Sequence, residues 1–307
     1  MNTAFLFVGQ GSQAVGMGTV LAQSCEDCRA TFAAADCALG FPLTRFMAEG
    51  PDEELRRTAL AQPAILVQSV AEARHLIDLG AKPRVLVGHS LGQYSALVMA
   101  GSLKFEDAVR LVAERGRLIQ KVVPEGVGSM YAIVGIDRPI VYEICQSMPD
   151  LGVVQVACHN APNQTVISGE VNAVEAAVER LEDEGAGAAR LSVSAPFHCR
   201  LLMPMMAEFK ELVQGTRVSD PELPVVDNVT ARPLIDAAAV RASLIAQVTS
   251  PVLFEESLRY IFTDLAVDHV VQCGPSRTLL NFARKVAPQA AFETFESASQ
   301  KEGIGVS

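Results

Sequence analysis

Gly88-His89-Ser90-Leu91-Gly92 is a G-x-S-x-G pentapeptide. The apolar Val85-Leu86-Val87 precedes it and the helix-compatible Gln93-Tyr94-Ser95-Ala96-Leu97 follows, so the segment reads as strand, sharp turn and helix. That context belongs to a nucleophile elbow, in which flanking glycines allow the tight approach that lifts a serine hydroxyl into a cleft. Ser90 is therefore the candidate nucleophile, and covalent acyl chemistry the expected reaction. A hydroxyl is a weak nucleophile and needs a base. Of the 5 histidines, His89 is expected on the far side of the turn and His75 in an amphipathic helix. His159 follows a strand and His269 opens one. His198, in Ser194-Ala195-Pro196-Phe197-His198-Cys199, falls where the chain re-enters the main body beside a cleft and is the candidate base. An acceptor must orient its second ring nitrogen; Asp227 and Asp264 are available, and the residues alone do not choose.

Gly9-Gln10-Gly11-Ser12-Gln13 follows the first apolar run, Phe5 to Val8. A turn there can aim the Gln10 amide at the cleft, to pair with that of Leu91 as an oxyanion hole. The segment lacks the Lys-Ser/Thr ending of a nucleotide P-loop. Further on, Arg115-Gly116-Arg117 interrupts the helix expected over Phe105–Lys121. A glycine inside a helix costs about 1 kcal/mol relative to alanine, which close packing against Gly116 would explain, bringing a neighbouring arginine to the cleft. Cys25-Glu26-Asp27-Cys28 is a C-x-x-C without a second pair nearby, weak grounds for zinc or redox chemistry; no metal site is expected.

These residues must be positioned by an α/β fold. Short apolar runs alternate with longer amphipathic stretches: a strand at Phe5–Val8, a helix over Met17–Leu39, a strand at Arg84–Val87, then the helix from Leu91. That alternation predicts a parallel sheet covered by helices, here an α/β-hydrolase-like large subdomain over residues 1–127 and 195–307. Residues 128–194 change rhythm. Strands at Met130–Val134, Val153–Ala157, Thr165–Ser168 and Ala189–Val193, with helices at Ile140–Ser147 and Val171–Glu184, make a βαββαβ order, a ferredoxin-like small subdomain inserted in the large one. Val225–Val226 and His269–Gln272 are further strands of the large body, and the polar stretch Ser297–Ser307 is expected to be loose.

Composition excludes several function classes. With 307 residues, 50% hydrophobic and 20% charged, the chain has ample core and does not resemble a disordered protein. A net charge of -10 and the absence of a basic cluster argue against nucleic acid. No apolar run approaches the roughly 18 residues of a membrane span. An odd set of 7 cysteines and a start that runs straight into a core strand fit a reducing, cytoplasmic setting.

Together, Phe7-Val8-Gly9-Gln10-Gly11-Ser12-Gln13, Gly88 through Leu97, Glu114-Arg115-Gly116 and Pro196-Phe197-His198 resemble the malonyl-CoA:acyl carrier protein transacylases, over residues 4 to about 285. The resemblance implies a Ser90 nucleophile, a His198 base, an oxyanion hole at the Gln10 and Leu91 amides, and an Arg115 that holds the malonyl carboxylate through its planar fork. It implies that the Gln247 main-chain carbonyl orients the histidine, and that Gln62, Phe197 and Asn160 line the substrate pocket. Malonyl-CoA would be the substrate, an acyl carrier protein the partner, no cofactor would be needed, and the enzyme would work as a monomer. Arg117 and Lys121 are candidates for carrier docking.

Three departures from the family pattern stand out: Val8 for a usual proline, Gln93 for glutamate, and Cys158 for a frequent asparagine. Phe197 resembles polyketide-type acyltransferases that prefer malonyl over branched groups, implying a free-standing enzyme serving a polyketide synthase in trans, or fatty-acid synthesis. A serine acyl hydrolase or editing thioesterase would share Ser90 and His198 without needing Arg115. The malonyl-transferring component of a malonate decarboxylase would share all three. A non-catalytic interaction protein would form no covalent adduct.

Overall fold

The computed structural model describes residues 1–301. Its first sheet has five parallel strands in the order β10-β9-β1-β2-β7. They are β1 (Thr3–Phe7), β2 (Val85–Gly88), β7 (Val225–Val226), β9 (His269–Cys273) and β10 (Ala291–Thr294). β1 lies at the centre with Ala4 through Phe7 fully buried, as expected of a parallel strand covered by helices on both faces. Phe7 pairs with Gly88 on one side and Cys273 on the other. The chain therefore leaves β1, β2 and β9 at one edge, and both glycine motifs meet at the carboxyl ends of adjacent strands, where open α/β sheets hold their ligands. This is an α/β fold built on a parallel sheet.

The second sheet runs β6-β3-β5-β4-β8, from β3 (Gly128–Val134), β4 (Val154–Ala161), β5 (Gln164–Glu170), β6 (Gly187–Arg190) and β8 (Val252–Leu253). Its first four members are antiparallel to their neighbours, while β8 adds to β4 in parallel. The small sheet thus takes its edge strand from chain beyond residue 195. One face carries Ile133, Val156 and Ile167 against the helices Arg138–Gln146 and Val171–Asp183. The other, with Met130, Cys158 and Val166, joins the core of the larger body.

Some elements differ from the sequence reading. The helix expected over Met17–Leu39 is two, Thr19–Ser24 and Glu26–Leu39, because Gly16 and Gly18 take φ of 92° and 76° and Cys25 is extended. The last strand of the small sheet is Gly187–Arg190 rather than Ala189–Val193; Leu191 and Val193 are apolar because they line a cavity. Of the stretch expected to be loose, Ser297 through Lys301 belong to the helix Phe295–Lys301, and the rest lies outside the described residues. No described helix is long and apolar enough to cross a membrane.

Candidate active site

Gly88 and Gly92 make the turn around Ser90 possible. A Cβ on Gly88 would sit 2.0 Å from the Gln93 nitrogen, and one on Gly92 2.0 Å from the Phe7 carbonyl oxygen. Ser90 itself has φ 52°, a strained value for a side chain other than glycine, costing roughly 1–3 kcal/mol. It stands at the start of the helix Gly92–Met99, whose partial positive end favours negative charge nearby.

Ser90 Oγ donates to His198 Nε2 at 2.6 Å, and His198 Nδ1 donates to the Gln247 carbonyl oxygen at 2.8 Å. A carbonyl only accepts, so the proton sits on Nδ1 and the Nε2 lone pair faces the hydroxyl. Burial, and next the charge of Arg115, push His198 down from 6.5 to about 3, although the Gln247 carbonyl pulls the other way. The imidazole is neutral at physiological pH and able to accept a proton. Asp227 instead accepts from Thr230 and Ser243, and Asp264 ends the helix Phe254–Thr263, so neither carboxylate orients the histidine.

Three of the other histidines are held by side-chain hydrogen bonds. His89 Nε2 bonds to Asn160 Oδ1 at 2.8 Å, away from Ser90. His159, which lies within β4, is held between the Tyr142 hydroxyl and Glu256, and His269 contacts Thr3.

Arg115 is 1% exposed. The reason lies next door: a Cβ on Gly116 would be 2.6 Å from the Thr58 carbonyl oxygen, so the helix Phe105–Val122 presses on the start of the helix Thr58–Asp78 and carries Arg115 inside. Its contacts are sparse. Nη2 reaches Gln247 Oε1 at 3.4 Å, the guanidinium lies 5.6 Å from the Tyr94 ring centroid, and Nε has no partner. Among the described residues no carboxylate pairs with it. A buried guanidinium without a counter-ion is costly, and it marks a place where an anion is wanted.

Gln247 ties these parts together. Its Nε2 donates to the Ser90 carbonyl at 2.9 Å and to Asn228 Oδ1 at 3.0 Å. Asn228 Nδ2 donates to the Gly88 carbonyl at 2.6 Å, and Gln93 Oε1 accepts from the Asn228 amide at 2.8 Å. Gln93 Nε2 continues to Ser243 Oγ at 2.7 Å. Asn228 and Ser243 escaped the sequence reading, since no spacing marks them. The signal that would have found Asn228 is its place just beyond β7, at the same carboxyl edge as the elbow.

A cavity of about 550 Å³ opens over Ser90, lined by Gln10, Asn160, Phe197, His198 and Lys285 among others. Leu91, Gln62, Arg115 and Gln247 are not among the lining residues. Gln62 Nε2 donates to Gln10 Oε1 at 3.2 Å, and Gln10 Nε2 to Thr58 Oγ1 at 3.2 Å. Among the described residues, the Gln10 and Leu91 amides have no hydrogen-bond acceptor. Lys285, at the rim, bonds to Gln164 Oε1 at 2.8 Å and was missed because its helix shows no motif. Arg117 and Lys121 share Glu208, at 2.9 and 3.0 Å, which leaves neither as an unpaired docking cation.

The acyl transferase domain family matches residues 4–298. The chain belongs to this family. It is 41% identical over 285 residues to a malonyl CoA-acyl carrier protein transacylase of Salmonella typhimurium, covering 92% of each chain. It is 40% identical to one from Bacillus subtilis, covering 92% of this chain and 90% of that one. The structure of the Coxiella burnetii transacylase superposes with a TM-score of 0.94 at 37% identity, over 98% of this chain and 96% of that one. A malonyl-transacylase solved with its type II PKS acyl-carrier protein matches at 0.91 and 38%, over 96% and 95%.

In this member of the acyl transferase family, Gln93, Val8 and Cys158 all lie close to Ser90. Gln93 is a buried neutral amide whose oxygen accepts and whose nitrogen donates; a glutamate could not donate to Ser243 in this way. Val8 packs against Gly274, where a Cβ would meet its Cγ2 at 2.2 Å. Cys158 lines the cavity, with burial pushing its thiol up to about 12, so it remains a neutral thiol.

Proposed function

We propose that the chain transfers a malonyl group from malonyl-CoA, through an ester on Ser90, to the phosphopantetheine thiol of an acyl carrier protein. The observation that carries this reading is Arg115: a buried, unpaired guanidinium joined to the nucleophile through Gln247. A simple acyl hydrolase has no use for it, whereas an acyl group ending in a carboxylate supplies the missing charge. Because a single 3.4 Å contact holds the guanidinium to Gln247, it can exchange that amide for the substrate carboxylate.

His198 takes the Ser90 proton as Oγ attacks the thioester carbon, and the Gln10 and Leu91 amides receive the developing oxyanion. The imidazolium returns the proton to the departing CoA sulfur as the carbonyl reforms. The carrier thiol then attacks the ester, His198 taking its proton and passing it to Ser90 Oγ. Every step uses the chain's own groups, so no resident cofactor is required. Gln62 holds Gln10 in place, Asn160 holds His89 clear of the nucleophile, and Phe197 shapes the acyl end of the cavity. Residues 1–127 and 195–307 act as the catalytic body, and 128–194 as a ferredoxin-like unit roofing Ser90. The 7 free cysteines support a cytoplasmic enzyme, which we take to act as a monomer. Polyketide and fatty-acid synthesis share this reaction.

Intact-protein mass spectrometry tests the reading. Malonyl-CoA is expected to add one malonyl group, which phosphopantetheinylated carrier protein then removes and carries. An adduct that decays to free acid at the same rate with and without carrier would make the chain a hydrolase. Phe197 is a second point of attack. Its ring crowds a 2-methyl branch, and Phe197→Ala should raise methylmalonyl adduct formation relative to malonyl by about tenfold, the effect of one methyl-sized volume in an apolar pocket. An unchanged ratio would remove Phe197 from the specificity wall.

A further inference from the structure

The C-x-x-C pair Cys25 and Cys28 gains a third member in the fold. The Sγ atoms of both cysteines and a ring nitrogen of His75 lie within 4.8 Å of one another. Cys25 caps the helix Glu26–Leu39 and Cys28 lies in its first turn, Cys25 Sγ accepting from the Cys28 amide at 3.2 Å. His75 comes from the last turn of the helix Thr58–Asp78. We propose that Cys25, Cys28 and His75 bind one zinc ion that fastens these two helices together.

Two thiolates and an imidazole are the donors zinc prefers, at about 2.3 Å for sulfur and about 2.0 Å for nitrogen. Around a tetrahedral ion at those lengths, donors stand roughly 3.8 Å apart, so the set needs to close by at most about 1 Å, within the reach of side-chain rotation. Two thiolates balance the ion's charge, and the partial positive end of the helix favours them. Cys28 is buried while Cys25 and His75 are half-exposed, leaving an approach for the ion and room for a fourth ligand. Asp78 and Asp27 are near enough for their charge to be felt at Cys28. Zinc binds cysteine as the thiolate, so binding releases protons and tightens as pH rises.

The site is remote from Ser90. His75 follows Thr58 by seventeen residues along one helix, about 25 Å at 1.5 Å per residue, and Thr58 is the end that touches Gln10. The ion's role is mechanical, and it does not enter acyl transfer.

The test uses the full, untagged chain, reduced and stripped with chelator, titrated with Zn2+ against a chromophoric chelator. One zinc per chain is expected, with a higher melting temperature on saturation. Cys25→Ser and His75→Ala should each weaken binding tenfold or more, since even lost outer-shell partners cost about that much. Cys37→Ser, an exposed cysteine outside the cluster, should bind as the parent does. Unchanged Ser90 acylation by malonyl-CoA reports that each variant is folded, and His75→Ala and Cys25→Ser serve as independent variants. No uptake by the reduced chain overturns the proposal, as does uptake that both variants leave untouched. If mild oxidation consumes the two thiols while the reduced chain takes no zinc, the pair is a redox couple and the zinc site is rejected.

Discussion

Ser90→Ala is expected to leave no malonyl adduct and to lower transfer by four to six orders of magnitude, about the scale on which loss of a serine nucleophile acts in a hydrogen-bonded dyad. His198→Ala should fall nearly as far. The two side chains are expected to work as one device: Oγ is a poor nucleophile while it keeps its proton, and Nε2, 2.6 Å away, is the group placed to take it. The double variant should therefore be scarcely slower than either single one. Steady-state transfer to carrier protein, with intact mass as the check on acylation, measures all three. Additive losses would mean that His198 acts on a separate step. Gln247→Ala is a different case, because it keeps the carbonyl that holds Nδ1 and removes only the side-chain bonds to Ser90, Asn228 and Arg115.

That distinction also explains what could be read without a structure. Ser90 is legible because its whole device is local: a strand, two glycines and a helix in sequence. His198 is legible by elimination among few histidines and by its place at a chain crossing. The acceptor for Nδ1 is not, since a main-chain carbonyl has no residue signature; Asp227 was as plausible until Ser243 and Thr230 were found to claim it. Only the family resemblance pointed to Gln247. Arg115 was half-visible through Gly116, an unfavourable residue for a helix interior that the Thr58 carbonyl explains. Leu191 and Val193 misled because apolar alternation reports burial on one side and does not say whether the neighbour is a strand or a cavity. His75 could not be linked to Cys25 and Cys28 by spacing, because helix packing alone brings them together.

Arg115→Ala should separate two donors that differ by one carboxylate. Malonyl transfer is expected to fall about 10- to 150-fold, the equivalent of the roughly 1.5–3 kcal/mol of a hydrogen bond to a charged group, while acetyl transfer changes little. Equal losses would end its role as the carboxylate clamp. Stability should move the other way. Arg115→Met removes a buried, unpaired charge and keeps the volume, so the melting temperature should rise by about 2 °C or more, a trade of function against stability. The pH profile adds a third reading. Burial and then Arg115 hold His198 at about 3, so the acid limb of kcat/KM for acetyl-CoA, which reports the free enzyme, lies well below pH 6.5. Without Arg115 that limb should move upward. A malonyl carboxylate bound as proposed should do the same within the native site, because pairing with the guanidinium would cancel the charge that weakens the base. On the proposed binding mode, recognition of the acid end is expected to couple to the base: a substrate that pairs with Arg115 should raise the basicity of His198, and acetyl-CoA, with no charge to offer, should not.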